Sequence, residues 1–166
     1  MKKQIIFSHG KESGPNGAKI RTLTEVGKEM GYETLSIDYR KCVDVNERVE
    51  LLNQEIRKLE LCELILVGSS MGGYVSTVIA NEIPVEGLFL MCPALYMPRY
   101  EIQSYLPQTD KIEITHGWQD DVVPFENSMR FAKENKAILH LLEDNHRLSE
   151  SLLFLAQSFW FFLERD

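Results

Sequence analysis

The chain has little cysteine, no long apolar run and no excess of basic residues, and each shortage removes a class of function. Its three cysteines, Cys42, Cys62 and Cys92, are scattered with no CxxC spacing. That argues against a disulfide scaffold or a zinc site and suits a reducing, cytoplasmic setting. The longest apolar stretch, residues 152–163, is interrupted by Gln157 and Ser158 and falls well short of the roughly 20 residues that span a bilayer. It reads as a buried helix, and no membrane span is expected. Met1-Lys2-Lys3-Gln4 precedes only three apolar residues before Ser8, too few for the apolar segment of a secretory signal. Lys and Arg number 18 against 25 Asp and Glu, a formal charge of −7. A nucleic-acid partner is not expected, because phosphate contacts need a basic face. A flavodoxin-like nucleotide or flavin binder would share the strand–helix alternation described below, but neither GxGxxG nor a Walker motif occurs.

What is present is ordinary for a globular protein: 166 residues, 44% apolar and 26% charged. The length is that of one domain, residues 1–166, with a single core. Short apolar runs alternate with helical periodicity. Strands are expected at residues 4–8, 34–38, 64–67, 85–91, 111–115 and 137–142. Helices are expected from about residue 17 to Met30, after Asp44, from Ser70 to about Asn81, at residues 125–134 and at 148–163. Asn16 is the expected cap of the first helix and Gly31 its stop, while Asp44 and Glu47 form a capping-box pattern. Continuous apolar strands separated by helices call for a three-layer α/β/α sandwich with a mostly or wholly parallel six-stranded sheet.

In such sheets ligands bind beyond the carboxyl ends of the strands. Gly68-Ser69-Ser70-Met71-Gly72-Gly73 stands at one of these ends. The register GxSxG places Ser70 at the tip of a sharp strand-to-helix turn, with glycines where side chains would crowd it. A serine hydroxyl needs a base within hydrogen-bond reach and an acid to orient that base. Of the four histidines, His146 lies in a polar post-strand loop and is the expected base. His140 lies inside a strand and reads as packed. His9 and His116, each followed by glycine, read as braces for backbone. For the acid, Asp120 is favoured over its neighbour Asp121, which is closer to the next helix and suits capping; Asp144 suits a cap or turn.

The order Ser70, Asp120, His146, together with His9-Gly10, GxSxGG at residues 68–73 and HGxxDxxVP at residues 116–124, resembles the serine hydrolases of the α/β-hydrolase fold. The likeness is to small single-domain bacterial carboxylesterases and, at greater distance, to acyl-protein thioesterases and dienelactone-hydrolase relatives. It implies Ser70 as nucleophile, His146 as base and then acid, and Asp120 as the holder of the imidazole. It further implies an oxyanion hole from the backbone N–H groups of Lys11 and Met71, and no cofactor or metal. The chain departs from larger relatives by starting at what would be their third strand and by lacking a large lid.

Between Pro93 and Pro107 runs an aromatic and apolar segment. Its residues Leu95, Tyr96 and Met97, with Tyr100 and Leu106, either line an acyl pocket or cover the sheet. Arg99, Lys11 and Glu12 read as solvated. The aromatic closing helix either packs on the sheet or mediates a homodimer. The expected activity is cleavage of small carboxylic esters through an acyl-enzyme. The alternatives are a thioesterase or amide hydrolase with the same triad, and a binding protein that keeps the fold without turnover.

Overall fold

The computed structural model describes residues 1–165. Six strands, β1 (Lys2–Ser8), β2 (Glu33–Ile37), β3 (Cys62–Ser69), β4 (Gly87–Met91), β5 (Ile112–Gly117) and β6 (Ile138–Leu142), form one sheet in the order β2-β1-β3-β4-β5-β6. Every pairing is parallel. Four helices, α1 (Ala18–Glu29), α2 (Val45–Arg57), α3 (Met71–Glu82) and α4 (Phe125–Asn135), lie in the connections, and α5 (Leu152–Glu164) follows β6.

The alternation of strand side chains divides the core in two. Ile5, Phe7, Ile65, Val67 and Phe89 face a layer containing Leu23 of α1 and Phe159 and Phe162 of α5. Ile6, Leu64, Leu66, Leu88, Leu90 and Ile114 face Leu52 of α2, Val75 and Ile79 of α3, and Phe131 of α4. Both faces of the central strands are thus apolar, which is why those strands read as unbroken hydrophobic runs. From β1 the chain winds outward to β2, then crosses back to β3 and continues the other way. The topological switch point therefore lies between β1 and β3, where a doubly wound sheet opens its crevice.

Four local expectations change. Asn16 does not cap α1: Gly17 occupies the N-cap, with no side-chain hydrogen bond. Asp121 does not cap α4, which Pro124 precedes; the Asp121 side chain is exposed. β5 runs on through His116 and Gly117 instead of ending at Thr115. The closing helix starts at Leu152 rather than Leu148, because Leu148 takes a left-handed backbone (φ 52°) and Asp144 ties down the turns before the helix. Its Oδ2 accepts from Glu150 N–H (3.1 Å) and Ser151 Oγ–H (2.7 Å).

Segment 92–111 forms no helix or ladder strand and lies on α3. Tyr105 is buried and meets Tyr74 of α3 and Phe131 of α4 edge to face, and Ile102 N–H donates to Tyr74 Oη at 3.1 Å. On α5, Phe159 and Phe162 are fully buried while Phe161 and Leu153 are exposed. No helix among the described residues is long and apolar enough to cross a membrane.

Candidate active site

Ser70 sits between β3 and α3 with φ 53° and ψ −119°, a conformation that costs a residue with a side chain about 1–3 kcal/mol. Hydrogen bonds on both sides hold it there. Ser70 N–H donates to Met91 O at 3.0 Å, and Ser70 O accepts from Gly73 N–H at 2.9 Å and Ala94 N–H at 2.9 Å. The turn is possible because of Gly72: a Cβ there would stand 2.0 Å from Ser8 O, so the start of α3 rests directly on the end of β1. That contact brings the loop after β1 to the serine. A Cβ on Gly10 would lie 3.4 Å from Ser70 Cβ.

From the loops after β5 and β6 come Asp120 and His146. Ser70 Oγ is 2.9 Å from His146 Nε2, and His146 Nδ1 is 2.7 Å from Asp120 Oδ2. Asp120 is the centre of a wider network. Its Oδ1 accepts from Val122 N–H (2.8 Å) and Val123 N–H (2.9 Å). Its Oδ2 also faces His116 Nε2 at 2.9 Å. His116 Nε2 lies 3.0 Å from Val123 O as well, and its Nδ1 lies 2.7 Å from Ser128 Oγ. With two acceptors at Nε2, that nitrogen carries the His116 proton.

The Asp120 side chain is fully buried. Burial alone would push its pKa up, but the donors His116, His146, Val123 and Val122 outweigh it and hold the carboxyl well below the usual range. The Asp120 carboxyl is therefore ionised although it is out of water. His146 reaches it because β5 and the loop after β6 touch. A Cβ on Gly117 would lie 2.3 Å from Asp144 O, so this position accepts only glycine.

On the other side of Ser70, Met71 opens α3, where a helix N-terminus presents free N–H groups. Lys11 follows Gly10 in the turn after β1. The peptide unit joining them is clamped by its carbonyl: Gly10 O accepts from His9 Nδ1–H (2.7 Å) and is 3.4 Å from both Ser13 Oγ and Arg48 Nη2. Because a trans peptide is planar, fixing that C=O fixes the direction of Lys11 N–H on its opposite edge. His9 Nε2 accepts from Tyr39 N–H at 2.9 Å, so the ring is neutral with its proton on Nδ1. Burial lowers its pKa accordingly.

Leu95 is fully buried in the core, and its carbonyl accepts from Asn127 Nδ2–H at 2.9 Å. Tyr96 stacks under Arg130, 3.9 Å from the ring centre, and its hydroxyl donates to Glu134 Oε2 at 2.8 Å. Met97 is half-buried. Leu95 and Tyr96 pack in the core layer that includes α3 and α4, and none of the three lines the cavity of about 350 Å³ that adjoins the site between Lys11 and Met71. Arg99 is exposed. His140 bonds Glu113 Oε1 at 2.9 Å, away from Ser70.

Cys92, His116 and Asp120 offer ligand atoms within 4.8 Å of one another. Burial pushes the Cys92 thiol up to about 12, and both Asp120 oxygens already accept the donors described above. Two features were not legible in the sequence. The first is the direct His116–Asp120 contact, for which the HGxxD spacing is the only signal. The second is buried Arg48, whose signal is its four-residue spacing from Leu52 on α2.

A family model described as an uncharacterised protein family matches residues 4–108. No curated protein matches the sequence. Among solved structures, a protein from Xanthomonas campestris pv. campestris, described as a candidate hydrolase of the alpha/beta superfamily, is 28% identical with a TM-score of 0.89, over 98% of this chain and 99% of that one. An alpha-beta serine hydrolase homologue from Coxiella burnetii is 22% identical with a TM-score of 0.82, over 96% of this chain and 83% of that one. Est1E from Butyrivibrio proteoclasticus is 18% identical with a TM-score of 0.78, over 98% and 87%. The six-stranded parallel sheet with its five helices is thus an α/β-hydrolase fold.

Proposed function

The chain belongs to the uncharacterised protein family UPF0227, and we propose that it is a serine hydrolase that cleaves small carboxylic esters through an acyl-enzyme on Ser70. The observation that carries this reading is the unbroken hydrogen-bond path from Ser70 Oγ through His146 to the ionised, fully buried Asp120, with the serine held at a strained elbow. The hydrolase description of the Xanthomonas relative supports the coarser statement of hydrolysis. The other likenesses are too low in identity to bear on more than the fold.

His146 Nε2 takes the proton of Ser70 Oγ as the oxygen attacks the ester carbonyl, and Asp120 stabilises the imidazolium that forms. The tetrahedral oxyanion is received by the N–H groups of Met71 and Lys11, each worth roughly 10²- to 10³-fold in rate. The imidazolium then protonates the departing alkoxide. Water, deprotonated by the same nitrogen, attacks the acyl-enzyme and releases the acid. With segment 92–111 folded down on α3, small esters rather than lipid aggregates fit the site.

The test is intact-mass spectrometry after treatment with a fluorophosphonate. One adduct on the wild type and none on Ser70→Ala is the expected result. A folded wild-type protein that takes no adduct would overturn the reading.

A further inference from the structure

The cavity beside the site has an inner wall with a property the hydrolytic machinery does not use. Met71, the neighbour of Ser70 in the chain, and Lys11 line it together with Arg48 of α2. The Arg48 side chain belongs to a residue only 4% exposed. It lies 5.1 Å from the centre of the Tyr39 ring. Its hydrogen-bond acceptors are two carbonyl oxygens, His9 O at 2.8 Å and Gly10 O at 3.4 Å. No carboxylate pairs with it among the described residues, and the ionisable groups around it include Cys42, Tyr39, Tyr100 and His9.

A guanidinium has five N–H donors, and a buried cation without a counter-charge is costly. The other charges on this cavity are at its rim. Lys11, Glu12 and Asp44 are exposed. Asp44 Oδ1 already accepts from Glu47 N–H, and exposed Arg40 is paired with Asp38 at 2.7 Å. Rim charges are screened by water and salt; the charge of Arg48 is not.

We propose that this cavity is a subsite for a carboxylate group of the substrate, with Arg48 as the residue that reads it. The inference rests on the hydrolase reading and narrows it: the substrate class is anionic esters, in which the carboxylate stands on either the acyl or the alcohol side of the scissile bond. A carboxylate supplies the missing counter-charge, accepts from the guanidinium N–H groups that His9 O and Gly10 O leave over, and anchors the substrate with its ester carbonyl beside Ser70.

The test compares kcat/KM on two matched pairs: mono(p-nitrophenyl) glutarate against p-nitrophenyl butyrate for an acyl-side charge, and 4-acetoxybenzoate against phenyl acetate for an alcohol-side charge. The wild type is expected to prefer the charged member of one pair. Arg48→Gln is expected to reduce that preference about 10- to 100-fold, chiefly through KM for the charged ester. Because Arg48 also holds the carbonyls of His9 and Gly10, the variant is expected to lower kcat on both members alike, and the ratio removes that effect. Arg48→Lys, which keeps the charge and loses the fork, is expected to fall between.

Calorimetric titration of Ser70→Ala with glutarate separates this inference from the reading it rests on. Glutarate binding that Arg48→Gln abolishes upholds the subsite even where no ester is turned over, which would sink hydrolysis alone. Equal kcat/KM within both pairs and no heat with glutarate on folded protein would overturn the subsite while leaving hydrolysis standing.

Discussion

Replacing Asp120 by asparagine changes one atom and, through the geometry around it, the tautomer of the base. Two backbone N–H groups, of Val122 and Val123, point at Oδ1 and cannot reverse. The amide oxygen must take that position, which turns the new NH₂ toward the side where His146 Nδ1 (2.7 Å) and His116 Nε2 (2.9 Å) now donate. A donor facing Nδ1 requires His146 to carry its proton on Nε2, where it would donate to Ser70 Oγ rather than accept from it. His116 can escape by moving its proton to Nδ1, next to Ser128 Oγ at 2.7 Å; His146 cannot escape without losing its function. Serine proteases lose about 10⁴ in kcat on the same exchange, which corresponds to about 5.5 kcal/mol at 1.36 kcal/mol per tenfold. We expect a loss of that size in p-nitrophenyl acetate hydrolysis and in the rate of fluorophosphonate labelling, with urea unfolding confirming a folded variant. Asp121→Asn, on an exposed side chain, is expected to leave both rates unchanged. An Asp120→Asn enzyme within tenfold of wild type would refute the argument.

The strain at Ser70 (φ 53°) predicts that Ser70→Gly is more stable than Ser70→Ala by about 1 kcal/mol although both are inactive, since only glycine relieves the backbone. Equal urea midpoints would remove strain from the account. Gly72→Ala puts a Cβ 2.0 Å from the carbonyl of Ser8, a backbone contact that cannot yield cheaply. A loss of roughly 4 kcal/mol or more is expected, and a midpoint matching wild type would show that β1 and α3 can separate. His9 has a pKa lowered below its ordinary 6.5 by burial, so the unfolded chain takes up that proton first. Its contribution is fully present above pH 6.5 and is lost as pH falls through 6.5 toward the lowered value. The urea midpoint of His9→Asn should therefore fall less steeply than that of wild type between pH 8 and 5; parallel curves would contradict the neutral, Nδ1-protonated ring.

Much of this was legible in the sequence, for reasons that differ from residue to residue. The sheet was legible because Ile5-Ile6-Phe7 and Leu64-Ile65-Leu66-Val67 are apolar without alternation, which only burial on both faces explains. Ser70, Asp120 and His146 could be named together because a parallel sheet gathers its post-strand loops at one edge, however far apart they lie in the chain. The start of α5 was misplaced because helical periodicity around Leu148 says nothing of the left-handed turn that Asp144 stabilises through Ser151 and Glu150. The doubled contact at Asp120 was hidden for a similar reason. It depends on β5 persisting to Gly117 and on that glycine meeting Asp144 O, a contact between segments some 27 residues apart. Arg48 was the least legible. Periodicity assigns it and Leu52 to one face of α2, and a charged residue on a core-facing stripe reads as a misfit. Its acceptors, His9 O and Gly10 O, lie 39 and 38 residues earlier, and the one acid on the same stripe, Glu55, is paired with Lys58 at 2.6 Å. A local rule broken without compensation nearby is what a functional position looks like before its ligand is known, and in this fold that position opens onto the cavity edged by Lys11 and Met71.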